Sequence, residues 1–190
     1  EAVMLRRSYP GVGKRGIGVG YPNQVNLVYD AEQMRLATLW KGQFADTGGV
    51  WRSQGHGTVH PLSRNPIQFA TGPDIDNADT PWVVDDGRPP QHQFKGYSLD
   101  DLRRPRFRYR FQNIDITDSC VDLKSESSNQ PFIRRTLTLQ CPTATTNIRF
   151  RVADGTNITR QANGTFIVNK QLKIQVPENQ TAKIVETPFG

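Results

Sequence analysis

No apolar run in this chain approaches the ~20 residues that a helix needs to cross a bilayer, so no membrane-spanning helix is expected. Cysteine is scarce: Cys120 and Cys141 are the two, which suits either a single disulfide in an oxidising compartment or two unrelated thiols. They do not form a C-x-x-C-H motif, so the chain attaches no c-type haem itself. No zinc finger, helix-turn-helix or RNA-recognition signature occurs, and no nucleic-acid partner is expected. There is also no G-x-S-x-G elbow and no serine placed as an exposed nucleophile, so no catalytic residue is assigned.

Histidine is equally sparse. His56 and His60 are four apart, but Gly55, Gly57 and Pro61 exclude the helix that would bring them together. In a strand the two rings would stand on one side about 13 Å apart, too far to share an ion, and adding His92 does not make a metal-site pattern. Asp74-Ile-Asp76-Asn77-Ala78-Asp79 begins like a calcium loop. It lacks an oxygen ligand at Ala78, the turn glycine and the distal glutamate, so a solvated acidic loop is expected and no metal is assigned.

What the sequence does hold is strands. The 190 residues are enough for one domain with its own core. The stretch Pro105–Ser119 alternates, with Phe107, Tyr109 and Phe111 on one side and Arg106, Arg108 and Arg110 on the other. Residues 132–141, 147–153, 165–170 and 172–177 alternate too, and Ala153-Asp-Gly155, Ala162-Asn-Gly164 and Pro177-Glu-Asn179 mark turns between them. With no room for helical crossovers, the expected class is all-β, an antiparallel β-sandwich over residues 1–190. Val25–Asp30 reads as a strand, residues 31–40 as a helical turn feeding a strand, and residues 71–92 as a long loop or a crossing between sheets.

Gly11, Gly13 and Gly16 spell G-x-G-x-x-G, yet no helix can start after them, because Gly18, Gly20 and Pro22 follow. Ile17 and Val19 alternating with glycines indicate a tightly packed strand instead. The cysteines test a hairpin. If Val121 and Leu123 face the same way as Leu137 and Leu139 across a turn near Ser128–Pro131, period-2 alternation puts Cys120 and Cys141 on opposite faces and a simple cross-strand bridge fails. A bulge or frayed end would still let them meet, so the disulfide stays open.

Two features suggest binding. Twenty-four Lys+Arg against 18 Asp+Glu give a net charge of +6. The Arg106, Arg108 and Arg110 ladder gathers part of it on one strand, with Arg149 and Arg151 repeating the device; two such strands side by side would form a basic patch for an acidic cytochrome or a sulfated polysaccharide. Trp40, Phe44 and Trp51, flanked by Gly42, Gly48 and Gly49, suit either a core or a sugar-stacking platform.

Arg15-Gly-Ile-Gly-Val-Gly20, Pro22, Val25-Asn26, Tyr29-Asp30-Ala31-Glu32, Arg35-Leu36-Ala37, Trp40, Gly42, Phe44, Asp46 and Trp51 resemble a module that accompanies c-type cytochrome domains in large exported proteins of planctomycete-type bacteria. The likeness continues through Pro61-Leu62, Pro81-Trp82, Phe94-Lys-Gly-Tyr97, Leu99, Pro105-Arg-Phe107, Tyr109, Phe111 and Arg135-Thr-Leu137. These are packing motifs. Ser53-Gln54-Gly55 departs from the family pattern, which has an arginine before that glycine. The resemblance implies a periplasmic or cell-surface accessory module, a segment of a larger redox protein whose neighbours resemble a sugar-dehydrogenase propeller and a haem-bearing cytochrome domain. It also implies that haem c resides in an adjoining domain or partner. The alternative is a carbohydrate-binding module, in which Trp40 or Trp51 would be exposed.

Overall fold

The computed structural model describes residues 1–79, 81, 87–144 and 147–185. It divides into two compact units, Glu1–Phe150 and Arg151–Gly190. In order, the first unit contains β1 (Val3–Tyr9), β2 (Val12–Gly20), β3 (Val25–Asp30), β4 (Arg35–Lys41), β5 (Ala45–Asp46), α1 (Gly48–Arg52), β6 (His60–Pro61), β7 (Ile67–Gln68) and β8 (Ile75–Asn77). It continues with β9 (His92–Leu99), β10 (Pro105–Phe111), β11 (Ile114–Lys124), β12 (Pro131–Gln140) and β13 (Ile148–Phe150). The second unit is a meander of β14 (Ile158–Arg160), β15 (Thr165–Val168) and β16 (Leu172–Gln175). Its first turn is the Asn163-Gly164 hairpin, both residues at positive φ as a type I′ turn requires.

All the paired strands are antiparallel, and the fold is all-β. A five-stranded sheet runs β1-β2-β3-β4-β7 and a four-stranded sheet runs β12-β11-β10-β9. Ile17, Val19, Leu27 and Tyr29 of the first share one core with Phe107 and Cys120 of the second. The Tyr29 ring stacks on Phe107 with centroids 3.9 Å apart. The opposite face of the five-stranded sheet is also covered: Tyr9, Val28 and Trp40 pack under Val59, Phe44 and Val50 from the 42–62 segment. Every residue of β3 is therefore buried.

The glycine-rich stretch is β2, and its glycines make room for rings. A Cβ on Gly18 would lie 2.0 Å from the Tyr9 hydroxyl, and one on Gly20 would lie 2.6 Å from the Phe44 ring. Tyr9 thus lies along the strand where side chains would otherwise stand.

Two stretches differ from the sequence reading. Residues 105–119 are not one strand but the β10–β11 hairpin, turning at Gln112-Asn113 with Gln112 at φ 52°. Phe111 pairs with Ile114, so the buried parity shifts from odd to even across the turn. Residues 31–34 form a turn rather than a helix, because the Asp30 carboxylate accepts the backbone N–H groups of Glu32 and Gln33. Asp30 also pairs with the buried Arg35 at 3.3 Å. The Arg35 guanidinium donates to the carbonyls of Gly11, Phe69 and Ala70 and to Gln33, fastening the turn to two neighbouring segments.

A second guanidinium, partly buried, joins the sheets. Arg135 of β12 reaches Asp118 of β11 at 2.5 Å and Asp74 at 2.7 Å. The same Asp74 oxygen accepts the backbone N–H of Leu36 on β4 at 2.8 Å. Burial works against the Arg135 charge, but the carboxylates of Asp118 and Asp74 outweigh it and raise the pKa well above the ordinary arginine value. Arg135→Ala should cost about 3–5 kcal/mol in urea unfolding, since it takes the guanidinium away from two buried carboxylates. Adding Asp74→Asn and Asp118→Asn should recover part of that loss.

His92, on β9, stacks on Phe111 with centroids 4.5 Å apart, and its Nε2–H donates to the Ile75 carbonyl at 2.7 Å. Among the described residues Nδ1 is buried with no partner. Burial lowers the His92 pKa below its ordinary 6.5, against the opposing pull of Ile75 and Asp76. The neutral ring's contribution is therefore complete above pH 6.5 and falls as pH drops through the folded-state pKa. Over that window wild type should lose stability faster than His92→Asn, by at most ~1.4 kcal/mol per pH unit, measured by denaturant titration at each pH.

Candidate functional site: the outer face of the four-stranded sheet

One face of the four-stranded sheet is buried and the other meets solvent. Along β10 the burial alternates without a break: Pro105, Phe107, Tyr109 and Phe111 inward, Arg106, Arg108 and Arg110 outward. Register carries this pattern across the sheet. Arg106 stands between Ser98 and Ser119, and Ser119 is opposite Thr136. Arg108 stands between Gly96 and Thr117, and Thr117 is opposite Thr138. Arg110 stands between Gln93 and Asp115, and Asp115 is opposite Gln140. Successive rows are about 6.8 Å apart and neighbouring strands about 4.8 Å apart, so the face is a lattice of guanidiniums, hydroxyls and amides.

The three arginines are not equivalent. Arg110 makes two hydrogen bonds of 2.8 Å to the Asp115 carboxylate. Hydrogen bonding from Arg110 holds the Asp115 pKa below the usual carboxylate range. Arg106 and Arg108 are exposed and form no ion pair among the described residues. Arg134 of β12 is exposed on the same face, also with no ion pair among the described residues, and exposed Lys95 lies at the irregularity in β9 beside Gly96. Gly96 itself has φ 112°, and a Cβ there would meet nothing within 4 Å, leaving an open notch beside Arg108.

Arg149 does not extend this face. Its strand, β13, pairs with β8, while β10 has β9 and β11 as neighbours. Arg151 lies in the second unit. What the sequence reading missed were the hydroxyl rows and Arg134. Their signal was the Arg134-x-Thr136-x-Thr138 alternation, opposite in parity to Ile133, Leu137 and Leu139.

The tryptophans separate. Trp40 is buried, its ring 6.1 Å from Phe44 and nearly parallel to it, with Nε1–H donating to the Gln43 carbonyl. It presents no surface for a sugar. Trp51 on α1 is 84 % exposed, while its neighbour Val50 packs inward. Trp82 of the resemblance motif lies outside the described residues.

The remaining candidates do not converge. Cys120 and Cys141 are free thiols, the first buried and the second exposed. The register differs from the expected one, with Val121 opposite Arg134 and Leu123 opposite Phe132. Cys120 faces Arg135 while Gln140, next to Cys141, faces Asp115, so the thiols are separated by five or more residue steps of about 3.4 Å. Burial also pushes the Cys120 thiol pKa far up, which removes its reactivity. Asp74 of the calcium-like stretch is held by Arg135, and no group of three His, Cys, Asp or Glu side chains suited to a metal occurs among the described residues. A cavity of about 180 Å³ lies beside His92, lined among others by Asp76, Arg88 and Pro90, but the His92 Nδ1 atom is sealed from it. The resemblance residues Tyr29, Asp30, Arg35, Leu36, Ala37, Trp40, Phe107, Tyr109 and Phe111 are all buried, a packing set.

Comparison with family models, with curated proteins and with solved structures finds no match to this chain. The two tryptophans are open to a direct check in thermal and urea melts. Trp40→Ala should cost about 3–5 kcal/mol, as large aromatic deletions in a core do. Trp51→Ala should change stability by less than about 0.5 kcal/mol.

Proposed function

We propose that this chain is a non-catalytic interaction module, an accessory to an exported redox protein that carries c-type haem in an adjoining domain or a partner subunit. The observation that carries the reading is the outer face of the four-stranded sheet, where Arg106 and Arg108 stand exposed and without an ion-pair partner among the described residues. An exposed guanidinium on a rigid strand keeps its full charge and fork geometry available to an anionic group. Such a surface steers an oppositely charged partner and gives binding that weakens as salt screens it. The assignment to a cytochrome-bearing, periplasmic or cell-surface host rests on the sequence resemblance, whose quoted residues Ile17, Val19, Tyr29, Leu36, Phe107, Tyr109 and Phe111 build the core behind this face.

A second reading, a carbohydrate-binding module, is favoured by the exposure of Trp51, whose ring is available for stacking on a sugar. The two readings place recognition on different surfaces. The variant with Arg106→Glu, Arg108→Glu and Arg110→Glu should melt within a few degrees of wild type and lose low-salt binding to the adjoining c-type cytochrome domain or to acidic polysaccharide. Binding that is unchanged in a folded triple variant, and lost instead in Trp51→Ala, would move the site to the α1 segment.

A further inference from the structure

We infer that the outer face of the four-stranded sheet binds a linear anionic polysaccharide, with sulfate or carboxylate groups on Arg106 and Arg108 and sugar hydroxyls on the Thr117–Thr138 and Ser119–Thr136 rows. The inference deepens the interaction-module reading by naming the partner class for the same face.

Three observations favour a glycan over an acidic protein. Around the arginines the face carries Ser98, Gly96, Gln93, Ser119, Thr117, Thr136 and Thr138, with no apolar side chain among them. Protein–protein interfaces usually have a desolvated centre of aromatic and aliphatic anchors, and this part of the face has none. The apolar members lie towards the 125–130 turn, Val121 opposite Arg134 and Leu123 opposite Phe132, beyond the Arg106 and Arg108 rows. The free charges are also arranged for a chain rather than a point ligand. Arg106 and Arg108 follow one another at about 6.8 Å along β10, and Arg134 adds a third charge two strands away. Finally, the side chains across from Arg106 and Arg108 are the hydroxyls of Ser98, Ser119 and Thr117, which both donate and accept and so match sugar hydroxyls and sulfate oxygens alike. The Gly96 notch leaves space on the other flank of Arg108.

The charge of the glycan follows from what the face lacks. A neutral sugar needs an aromatic platform, and none stands beside Arg106 or Arg108, so attraction there must come from guanidinium–anion pairs. Asp115 marks one boundary: it already holds Arg110 and would repel an anion, placing the ligand over the Arg106 and Arg108 rows.

The test uses the full chain over immobilised dextran sulfate, polygalacturonate, unmodified dextran and poly-glutamate at low and moderate salt. Retention is expected on at least one of the two acidic polysaccharides and not on dextran. Arg106→Glu with Arg108→Glu should weaken it by about tenfold or more while leaving the melting curve in place. Thr117→Val with Thr138→Val retains every charge and should weaken polysaccharide binding about threefold without changing binding to poly-glutamate. Equal retention on poly-glutamate, unaffected by the threonine changes, would reduce the face to an ion exchanger and overturn the inference. Binding of the adjoining cytochrome domain through Arg106 and Arg108, with neither polysaccharide retained, would overturn the glycan and leave the interaction module standing. If neither is bound, both readings fall.

Discussion

The Arg135 guanidinium holds the first unit together at a place where hydrophobic contact alone would not define the register. It lies between Asp118 on the adjacent strand and Asp74 ahead of β8, and Asp74 also accepts a backbone N–H from β4. One side chain thereby links the four-stranded sheet, the five-stranded sheet and the 71–79 segment. A charge withdrawn from solvent is tolerated only when paired and hydrogen-bonded, so these two carboxylates must sit where they do for Arg135 to pack between them. Apolar clusters on either side would accept several small slips; a guanidinium with fixed fork geometry accepts few.

The two sheets are used differently as a result. The five-stranded sheet is covered on both faces, which is why β3 is buried throughout and why β2 carries glycines under Tyr9 and Phe44. The four-stranded sheet is covered on one face only, and its strands show the clean alternation of such a sheet. Backbone that is paired on both sides and packed from beneath is rigid, so β10 holds its arginines at fixed spacing. The arrangement divides the two roles: one sheet supplies the packing, the other an ordered polar surface.

Much of this was legible in the residues. The β10 alternation, the Asn163-Gly164 turn and a turn near Ser128–Pro131, which the structure centres on 126–128, follow from side-chain period and from which residues accept positive φ. The β10–β11 hairpin was also written in the sequence, as the change of apolar parity between Phe111 and Ile114, though an unbroken stretch of alternation hid it. The β11–β12 register was not legible. Apolar residues occur at both parities there, Val121 and Leu123 against Cys120 and Ile116, so local pattern cannot say which set faces inward.

The candidate site divides along the same line. By itself the sequence determined that Arg106, Arg108 and Arg110 share a face away from Phe107, Tyr109 and Phe111, because a strand's period of two is a local property of the backbone. Tertiary structure decided which arginines remain free. Arg134 and Arg135 are adjacent and chemically identical, yet one is exposed and the other is held by Asp74, sixty-one residues away in the chain. Trp40 and Trp51 look alike in their glycine-rich surroundings, and only the 42–62 segment folding over the sheet buries one and leaves the other in solvent. Long-range pairing decides such cases, because a side chain's partners are set by which strands meet and in what register, and neither is a property of the residues beside it.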